Sequence, residues 1–306
     1  NYLAGLQAEE NDVTDDARTY ELANYAIWAA QKGAIIEFSW LANNPAFPDV
    51  ADSYNTSCDG YALLAELLPG RALNSVWVKW LDHLTDFFNE MKFEDGTKVP
   101  FIFRPFHEMT EFWYWWGTDC NTVDEFLAAW NYTRWYLEVE KGNDQILWMY
   151  APSKPSDLPE EFEEYYPGDD QVDIVAWDRY SKNTTYSSYI EKDCAKVVAM
   201  AKSHNKVAAL AETGIWEGIQ HVHNEDWFMS DFLNPVISEC PQLAYAMTYT
   251  NFYHQSEYFV PSKGQKTYSG FVDFHDSVHS VFLGDELWSA TGYSEDMTSR
   301  TMKRRN

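Results

Sequence analysis

Short apolar segments alternate with longer amphipathic segments along the chain. The short segments are rich in β-branched and aromatic residues with little polar alternation, which is typical of parallel strands buried on both faces. The longer segments carry apolar residues at spacings of three and four and predict helices. The predicted strands span residues 2–5, 34–40, 99–103, 145–150, 172–177, 206–210 and 243–250, and the clearest helices span residues 17–32, 73–92, 123–141, 190–204 and 226–239.

This alternation predicts an α/β protein, and the length and the number of strands favour a (β/α)8 TIM barrel. The seven predicted strands are one fewer than the barrel needs, so either one strand is missed or the first lies upstream of Asn1. A doubly wound open sheet is the alternative, although no GxGxxG or GxxxxGK[ST] turn follows a strand. Without an internal repeat, linker or shift in composition, we expect residues 1–306 to form a single domain.

Composition and charge narrow the classes of ligand. The chain has a formal net charge of −26, which would repel nucleic acid and anionic membranes and disfavours polyphosphates. Aromatic residues make up 17% of the chain, and aromatic faces are well suited to binding neutral sugar rings. No apolar run approaches the ~20 residues of a membrane span. We therefore expect a monomer with a carbohydrate partner, no nucleic-acid partner and no membrane partner.

Neither the cysteines nor the histidines predict a metal site. The four cysteines are scattered and form no CxxC pair. Cys58 and Cys120 lie in polar, turn-like surroundings that suit a disulfide in an oxidising compartment, but the sequence leaves the pairing open. Segment 221–226 contains residue types that bind metals, yet its composition is that of a polar loop before a helix.

Two glutamates follow predicted strands at the end where barrel active sites are built. Glu108 follows the third predicted strand beside Arg104, His107 and the aromatic residues of segment 112–116. Glu212 follows the sixth, three βα units of roughly 35 residues later, so the two side chains would face each other across a barrel mouth. Glycoside hydrolysis needs such a pair, one acid for the leaving oxygen and one carboxylate behind the sugar.

Four motifs occur in order: RPFHE at 104–108, FWYWWG at 112–117, WDRY at 177–180 and AETG at 211–214. With them the chain resembles glycoside hydrolase family 26, best known for endo-β-1,4-mannanases. The resemblance covers nearly the whole chain and implies a retaining (β/α)8 enzyme that needs no cofactor. It also matches residues 2–5 to the family's second strand, which would place the first strand upstream of Asn1.

The resemblance also assigns roles to individual residues. It implies that Glu108 is the acid/base and Glu212 the nucleophile, with carboxyl groups about 5–5.5 Å apart as in retaining enzymes. The residues expected to bind substrate are Arg104, His107, Trp113, Trp177, Asp178, Tyr180 and Tyr249. Judged from residue types alone, the Arg, His and Tyr side chains could equally be buried structural groups, and Trp115 and Trp116 could be packing residues.

Two departures from the family pattern leave the sugar open. Leu41 stands where the family usually has His, and Tyr249 where it has Trp, both on the glycone side of the cleft. We expect a secreted enzyme that cleaves mannan, glucomannan or galactomannan. A β-1,3-1,4-glucanase or β-xylanase of the same family is the alternative. In a different class, the chain could be a glycan-binding protein that has lost catalysis.

Overall fold

The computed structural model describes residues 13–50, 52–58, 62–251, 257–285 and 288, so the strand expected at 2–5 lies outside the described residues. The chain divides into two compact units. The first comprises Asn1–Met149, Glu163–Val172 and Leu283–Asn306, and the second comprises Tyr150–Phe162 and Asp173–Phe282. The expectation of one domain over residues 1–306 stays a prediction.

The first unit contains parallel strands with helices between them. Strand β1 pairs in parallel with β2, and β2 pairs in parallel with β3. A capping box in which Thr122 and Glu125 exchange hydrogen bonds begins the third helix. The strands are β1 (Glu37–Trp40), β2 (Phe101–Pro105) and β3 (Ile146–Tyr150), and the helices are α1 (Val13–Gln31), α2 (Asn74–Glu90) and α3 (Val123–Trp135), with a 3-10 turn at Ala65–Leu67 and a π-helical turn at Tyr136–Glu140.

The core of the first unit is largely aromatic. The ring centroids of Trp40 on β1 and Trp77 on α2 are 4.7 Å apart. Phe88 on α2 and Phe101 on β2 lie 4.6 Å apart. All four side chains are buried. Large rings give much buried apolar area per residue, and here they hold α2 against the strands that lead to Glu108.

The second unit repeats the parallel pattern. Strand β4 pairs in parallel with β5, and β5 with β6. The strands are β4 (Ile174–Ser181), β5 (Val207–Ile215) and β6 (Ala246–Thr248), and the helices are α4 (Pro159–Glu164), α5 (Tyr186–Ser203), α6 (Asn234–Glu239) and α7 (Tyr268–His275), with a 3-10 turn at Ile219–His221 and a π-helical turn at Phe228–Leu233. The last two residues of α4 belong to the first unit, and the last residue of β3, Tyr150, belongs to the second. The helix expected over 226–239 is therefore divided between a π-helical turn and α6.

Strands β4 and β5 extend beyond the apolar segments that predicted them. The apolar pattern stops at residues 177 and 210, whereas the strands continue to Ser181 and Ile215. The added residues are mostly polar, yet nearly all are buried. The motifs WDRY and AETG are therefore parts of strands and not of the loops that follow them.

Two disulfides join distant segments of the chain. Cys58 is bonded to Cys120 in the first unit, the pairing that the sequence left open. Cys194 on α5 is bonded to Cys240, the residue after α6, in the second unit. No free cysteine is found in the described part of the chain, which contains all four.

Candidate active site

Arg104 lies at the end of β2, held by two polar residues of β1. Its guanidinium donates a hydrogen bond to Ser39 Oγ at 2.5 Å, and its Nε lies 3.2 Å from Glu37 Oε1. Ser39 is the register partner of Arg104, so parallel pairing alone brings the two side chains to one face. Arg104 has no exposed surface, so these contacts fix it as a buried cation behind the RPFHE turn.

The turn that carries Glu108 is strained. Phe106 and Glu108 have φ angles of 51° and 55°, a left-handed conformation that residues other than Gly rarely adopt. Such residues cost on the order of 1–3 kcal/mol each and cluster at functional sites. Phe106 is buried and stacks on Trp77, with ring centroids 5.6 Å apart. Packing of this ring therefore supports the conformation that presents the Glu108 carboxylate, which is itself only 8% exposed.

The aromatic cluster after Glu108 divides into one residue at the carboxylate and others in the core. Trp113 is half-buried, and its indole N–H donates to Glu108 Oε2 at 2.8 Å. Trp115 is fully buried and donates to the Ala42 carbonyl, and Trp116 donates to the His107 carbonyl. Trp115 and Trp116 are therefore packing residues, and Trp113 is the member of the motif that reaches the predicted acid/base.

His107 is buried between aromatic rings. Its ring centroid lies 5.1 Å from that of Tyr114 and 5.8 Å from that of Trp116. Burial, together with the nearby Arg104 charge, holds the pKa of His107 well below its usual 6.5. The imidazole is therefore neutral at neutral pH.

In the second unit, an irregularity in β5 sets the position of Glu212. Trp177 is paired with Leu210, but the next residue, Asp178, is paired with Glu212, so Ala211 is an extra residue in β5. A one-residue shift moves every later side chain to the opposite face of a strand. The bulge thus places Glu212 opposite Asp178, and Gly214 opposite Tyr180.

Tyr180 contacts the predicted nucleophile directly. Its hydroxyl donates a hydrogen bond to Glu212 Oε2 at 3.0 Å, and Glu212 is 8% exposed. The opposite face of β4 points to α5, where the Arg179 guanidinium donates to Asp193. Strand alternation therefore separates a face with Asp178 and Tyr180 from a helix-packing face. We call the first the catalytic face because it adjoins the predicted nucleophile.

The other predicted residues of this unit differ in exposure. Tyr249 follows β6, is half-buried, and its ring packs edge-on to Tyr180 with centroids 5.8 Å apart. Asp178 lies on the catalytic face but has no exposed surface, so it can act only through its neighbours. Trp177 also has no exposed surface and shares the face of Arg179. The structure therefore buries Trp177 on the helix-packing face, and its expected substrate contact stays a prediction.

Phe259 and Gly214 complete the surroundings of Glu212, and the sequence analysis missed both roles. The Phe259 ring packs against Tyr180 and Tyr249 at centroid distances of 6.1 and 5.2 Å. A Cβ added to Gly214 would lie 2.5 Å from the Phe259 ring and 3.2 Å from that of Tyr180. Gly214 thus allows the two rings to close over the strand. No local pattern around Phe259 signals this contact.

Ser39 was also missed, although a signal for it exists. Glu37 and Ser39 are polar residues at alternate positions of an otherwise apolar strand segment. Alternation places them on one face, where only a buried polar partner would stabilise them. Within the described ranges, no group of three or more His, Cys, Asp or Glu residues is arranged to hold a metal.

Comparison with known proteins shows the family of the chain. The model of the family described as "Glycosyl hydrolase family 26" matches residues 4–254. The chain belongs to this family. A solved β-mannanase of family 26 from Bacteroides ovatus is 30% identical, with a TM-score of 0.80 over 88% of this chain and 75% of that one. This likeness confirms the expected α/β fold of the (β/α)8-barrel class.

Other relatives are longer proteins. A modular endo-β-1,4-mannanase from Cellulomonas fimi is 25% identical, with a TM-score of 0.82 over 92% of this chain and 63% of that one. A mannan endo-1,4-β-mannosidase from Bifidobacterium adolescentis is 28% identical over 89% of this chain but only 28% of its own length. One from Bacillus subtilis is 27% identical over 72% of this chain and 57% of its length. The chain therefore spans less than two thirds of these curated relatives.

Proposed function

We propose that this family 26 chain is an endo-acting β-1,4-mannanase that cleaves mannan, glucomannan or galactomannan with retention. The hydrogen bond from Tyr180 to Glu212 carries the proposal, because it orients a carboxylate on a strand face where a sugar ring can be attacked. Glu108, on a strained turn and bonded by Trp113, supplies the second carboxyl group. Several relatives bear the name mannan endo-1,4-β-mannosidase, which supports this substrate class.

The mechanism is a double displacement. The Glu212 carboxylate forms a bond to the anomeric carbon while the bond from that carbon to the glycosidic oxygen breaks, and Glu108 gives its proton to the leaving oxygen. Water then attacks the glycosyl-enzyme, losing a proton to Glu108, and Glu212 leaves as a carboxylate. The second step thus restores the proton of Glu108 and the carboxylate of Glu212 that the first step used, and we expect the reaction to need no cofactor.

Residues around the two glutamates hold them for these steps. Tyr180 donates to Glu212 and thereby fixes the direction of one of its oxygens. Buried Arg104 supplies positive charge behind the turn of Glu108, next to neutral His107. Trp113 is half-buried beside Glu108, where its ring can stack on a sugar.

Two residues near the candidate site bear on which sugar the protein binds. Leu41 is half-buried directly after β1, and Tyr249 packs beside Tyr180. These two positions differ from the usual family residues, so a β-1,3-1,4-glucanase or β-xylanase remains the alternative within the same chemistry. A glycan-binding protein without catalysis has less support, because two positioned carboxylates serve no purpose in binding alone.

We further propose that the protein is secreted and acts as a monomer on neutral polysaccharide. Two disulfides that include all four cysteines favour an oxidising compartment. In the described residues, no helix combines the length and the apolar character needed to cross a membrane. The net charge of −26 disfavours anionic partners such as nucleic acid.

The test compares polymers and variants. Reducing ends released from glucomannan, galactomannan, lichenan and xylan would identify the substrate, and NMR of the first products would show retained β-configuration. Glu212→Gln should abolish hydrolysis. Glu108→Ala should retain its first step on an aryl glycoside whose leaving group needs no proton, and azide should then restore turnover. Inverted products would refute the double displacement, and binding without cleavage would identify a lectin.

A further inference from the structure

One large aromatic residue of the second unit is exposed close to the nucleophile strand. Trp216 follows β5 directly and is 61% exposed. The backbone N–H of Trp216 donates to the Ser181 carbonyl at 3.2 Å, so the hydrogen-bonding pattern of β4 and β5 continues through its backbone. Trp216 is therefore held at a defined position by the sheet and does not lie on a long loop.

Strand geometry relates Trp216 to Glu212. Side chains alternate along a strand, so Glu212, Gly214 and Trp216 share a face. Thr213 lies on the other face, where its hydroxyl bonds that of Tyr186 on α5 at 2.6 Å. At about 3.3 Å per residue, the Trp216 Cα lies roughly 13 Å beyond that of Glu212. At that distance Trp216 is too far from Glu212 to contact the sugar ring that Glu212 attacks. It is placed instead to contact another sugar ring of the same polymer chain.

Lys154 places the indole independently of this alternation. The Lys154 amino group lies 6.0 Å from the Trp216 ring centroid. The backbone N–H of Lys154 donates to the carbonyl of Asp178, the register partner of Glu212. Lys154, the neighbour of the indole, is thus anchored next to the residue pair that carries the predicted nucleophile.

The two side chains have the chemistry of a sugar-binding platform. An indole face binds the apolar face of a pyranose, and an ammonium group offers three donors to hydroxyl groups. A single exposed aromatic residue needs no special explanation. Here, however, it is fixed by the sheet, accompanied by a cation, and on the face of Glu212.

We propose that Trp216, with Lys154, binds a sugar ring of the substrate chain one or more rings from the bond that is cleaved. This inference rests on the proposed polysaccharide hydrolase function and deepens it. It makes long substrates depend on Trp216, whereas short ones that end before it do not. Trp216 is a specificity-determining residue that acts through binding and not through the chemical step.

The experiment compares substrates of different chain length in three variants of the proposed platform and one control variant. Trp216→Ala should lower kcat/KM on polymeric mannan by about tenfold, mainly through KM, because stacking on an aromatic platform is typically worth ~1–3 kcal/mol. On mannotriose, the change should stay below about twofold. Trp216→Phe should recover most of the loss, and Lys154→Gln should cause a smaller loss in the same direction. The control variant Trp135→Ala, at an exposed Trp on α3, should leave kcat/KM unchanged on both substrates.

The outcomes separate this proposal from the general one. If the wild type cleaves mannan but Trp216→Ala loses nothing, or loses equally on mannotriose, the platform is refuted while the proposed function stands. If the wild type cleaves another β-glycan, the platform is tested by the same comparison of wild type and Trp216→Ala on that polymer and on its trisaccharide. An equal loss on both substrates, or no loss on either, refutes the platform. If the wild type cleaves none, affinity electrophoresis in glucomannan decides, and equal retardation of wild type and Trp216→Ala refutes the platform.

Discussion

At the scale of single residues, each of the two glutamates accepts a hydrogen bond from an aromatic side chain. Trp113 donates to Glu108, and Tyr180 donates to Glu212. Both donors have rigid side chains with few rotamers, and each is only partly exposed. A rigid donor fixes the direction of a carboxylate oxygen with little loss of conformational entropy, so these two bonds are a physical basis for orientation of the pair.

We predict that Tyr180→Phe impairs catalysis much more than stability. A hydrogen bond to a charged group is worth about 1.5–3 kcal/mol, so kcat/KM should fall by about 10- to 100-fold. The matched control is Tyr186→Phe, which removes a buried hydroxyl. This hydroxyl is hydrogen-bonded to Thr213, which lies on β5 like Glu212 but on the opposite face of that strand. That variant should lower Tm and spare kcat/KM per folded molecule. Equal effects of both variants on kcat/KM would contradict a positioning role for Tyr180.

His107 gives a prediction for the pH dependence of stability. The pKa of His107 in the folded protein lies below its usual value because of burial and the Arg104 charge. Between the two pKa values, the unfolded chain therefore binds a proton at His107 that the folded chain does not bind. The stability from neutral His107 is therefore complete above pH ~6.5 and declines as pH falls from ~6.5 towards the folded pKa. Urea unfolding of wild type and His107→Asn should show a difference in free energy that shrinks over this range. Parallel curves would show that His107 does not titrate in this way.

At the scale of elements, one inserted residue in β5 organises the catalytic face of the second unit. Ala211 shifts the register so that Glu212 and Gly214 face Asp178 and Tyr180. Bulges are common beside active sites because they redirect side chains without ending the sheet. The close approach of Phe259 to Gly214 then depends on the absence of a side chain at this one position.

Gly214→Ala should therefore lower both activity and stability. The new methyl group would overlap the Phe259 ring, and overpacking of this kind costs typically ~1–3 kcal/mol. Thermal unfolding and kcat/KM measure the two effects. Combining Gly214→Ala with Phe259→Leu tests the cause, since a smaller side chain at 259 should relieve the overlap and recover part of the activity. If the combined variant recovers no activity, the loss in Gly214→Ala comes from a change in the backbone and not from overlap with the Phe259 ring.

Sequence patterns predicted the interiors of these strands better than their ends. Apolar runs identify where both faces are buried, but residues 178–181 and 211–214 are polar or small and still lie in strands. Their polar groups find partners on other elements, such as Asp193 for Arg179. The same reason hides Phe259, whose partners lie far away in the chain. Motif spacing did point to the two glutamates as candidates, because strand ends and active sites coincide in this fold class, and their catalytic roles stay predictions.

At the scale of the whole molecule, covalent links join segments that lie far apart in sequence. The Cys58–Cys120 link has a sequence separation of 62, and the Cys194–Cys240 link has one of 46. The first ends beside Asn121, whose amide group bonds the carbonyls of Trp115 and Gly117 in the segment after Glu108. The second joins two helices, α5 and the end of α6.

These positions predict different effects of removing each link. Replacing both cysteines of either pair by Ser should lower the free energy of unfolding by about 2–4 kcal/mol. Only loss of Cys58–Cys120 should also lower kcat/KM in the folded fraction, because its loop adjoins the segment that positions Trp113. Denaturant unfolding measures the loss of stability, and assays below the melting transition measure kcat/KM of the folded protein. Equal loss of kcat/KM in both double variants would contradict this distinction.

The left-handed turn at Phe106 and Glu108 has a consequence for directed evolution. Gly at 108 would relieve the backbone, so a library screened only for heat tolerance would enrich for it there. This gain removes the carboxyl group outright, whereas Gly at 106 would remove the buried ring that packs on Trp77, a loss of ~3–5 kcal/mol that exceeds the relief of strain. Heat-tolerant clones selected in this way should be poor catalysts. A useful screen must therefore reward turnover and heat tolerance together.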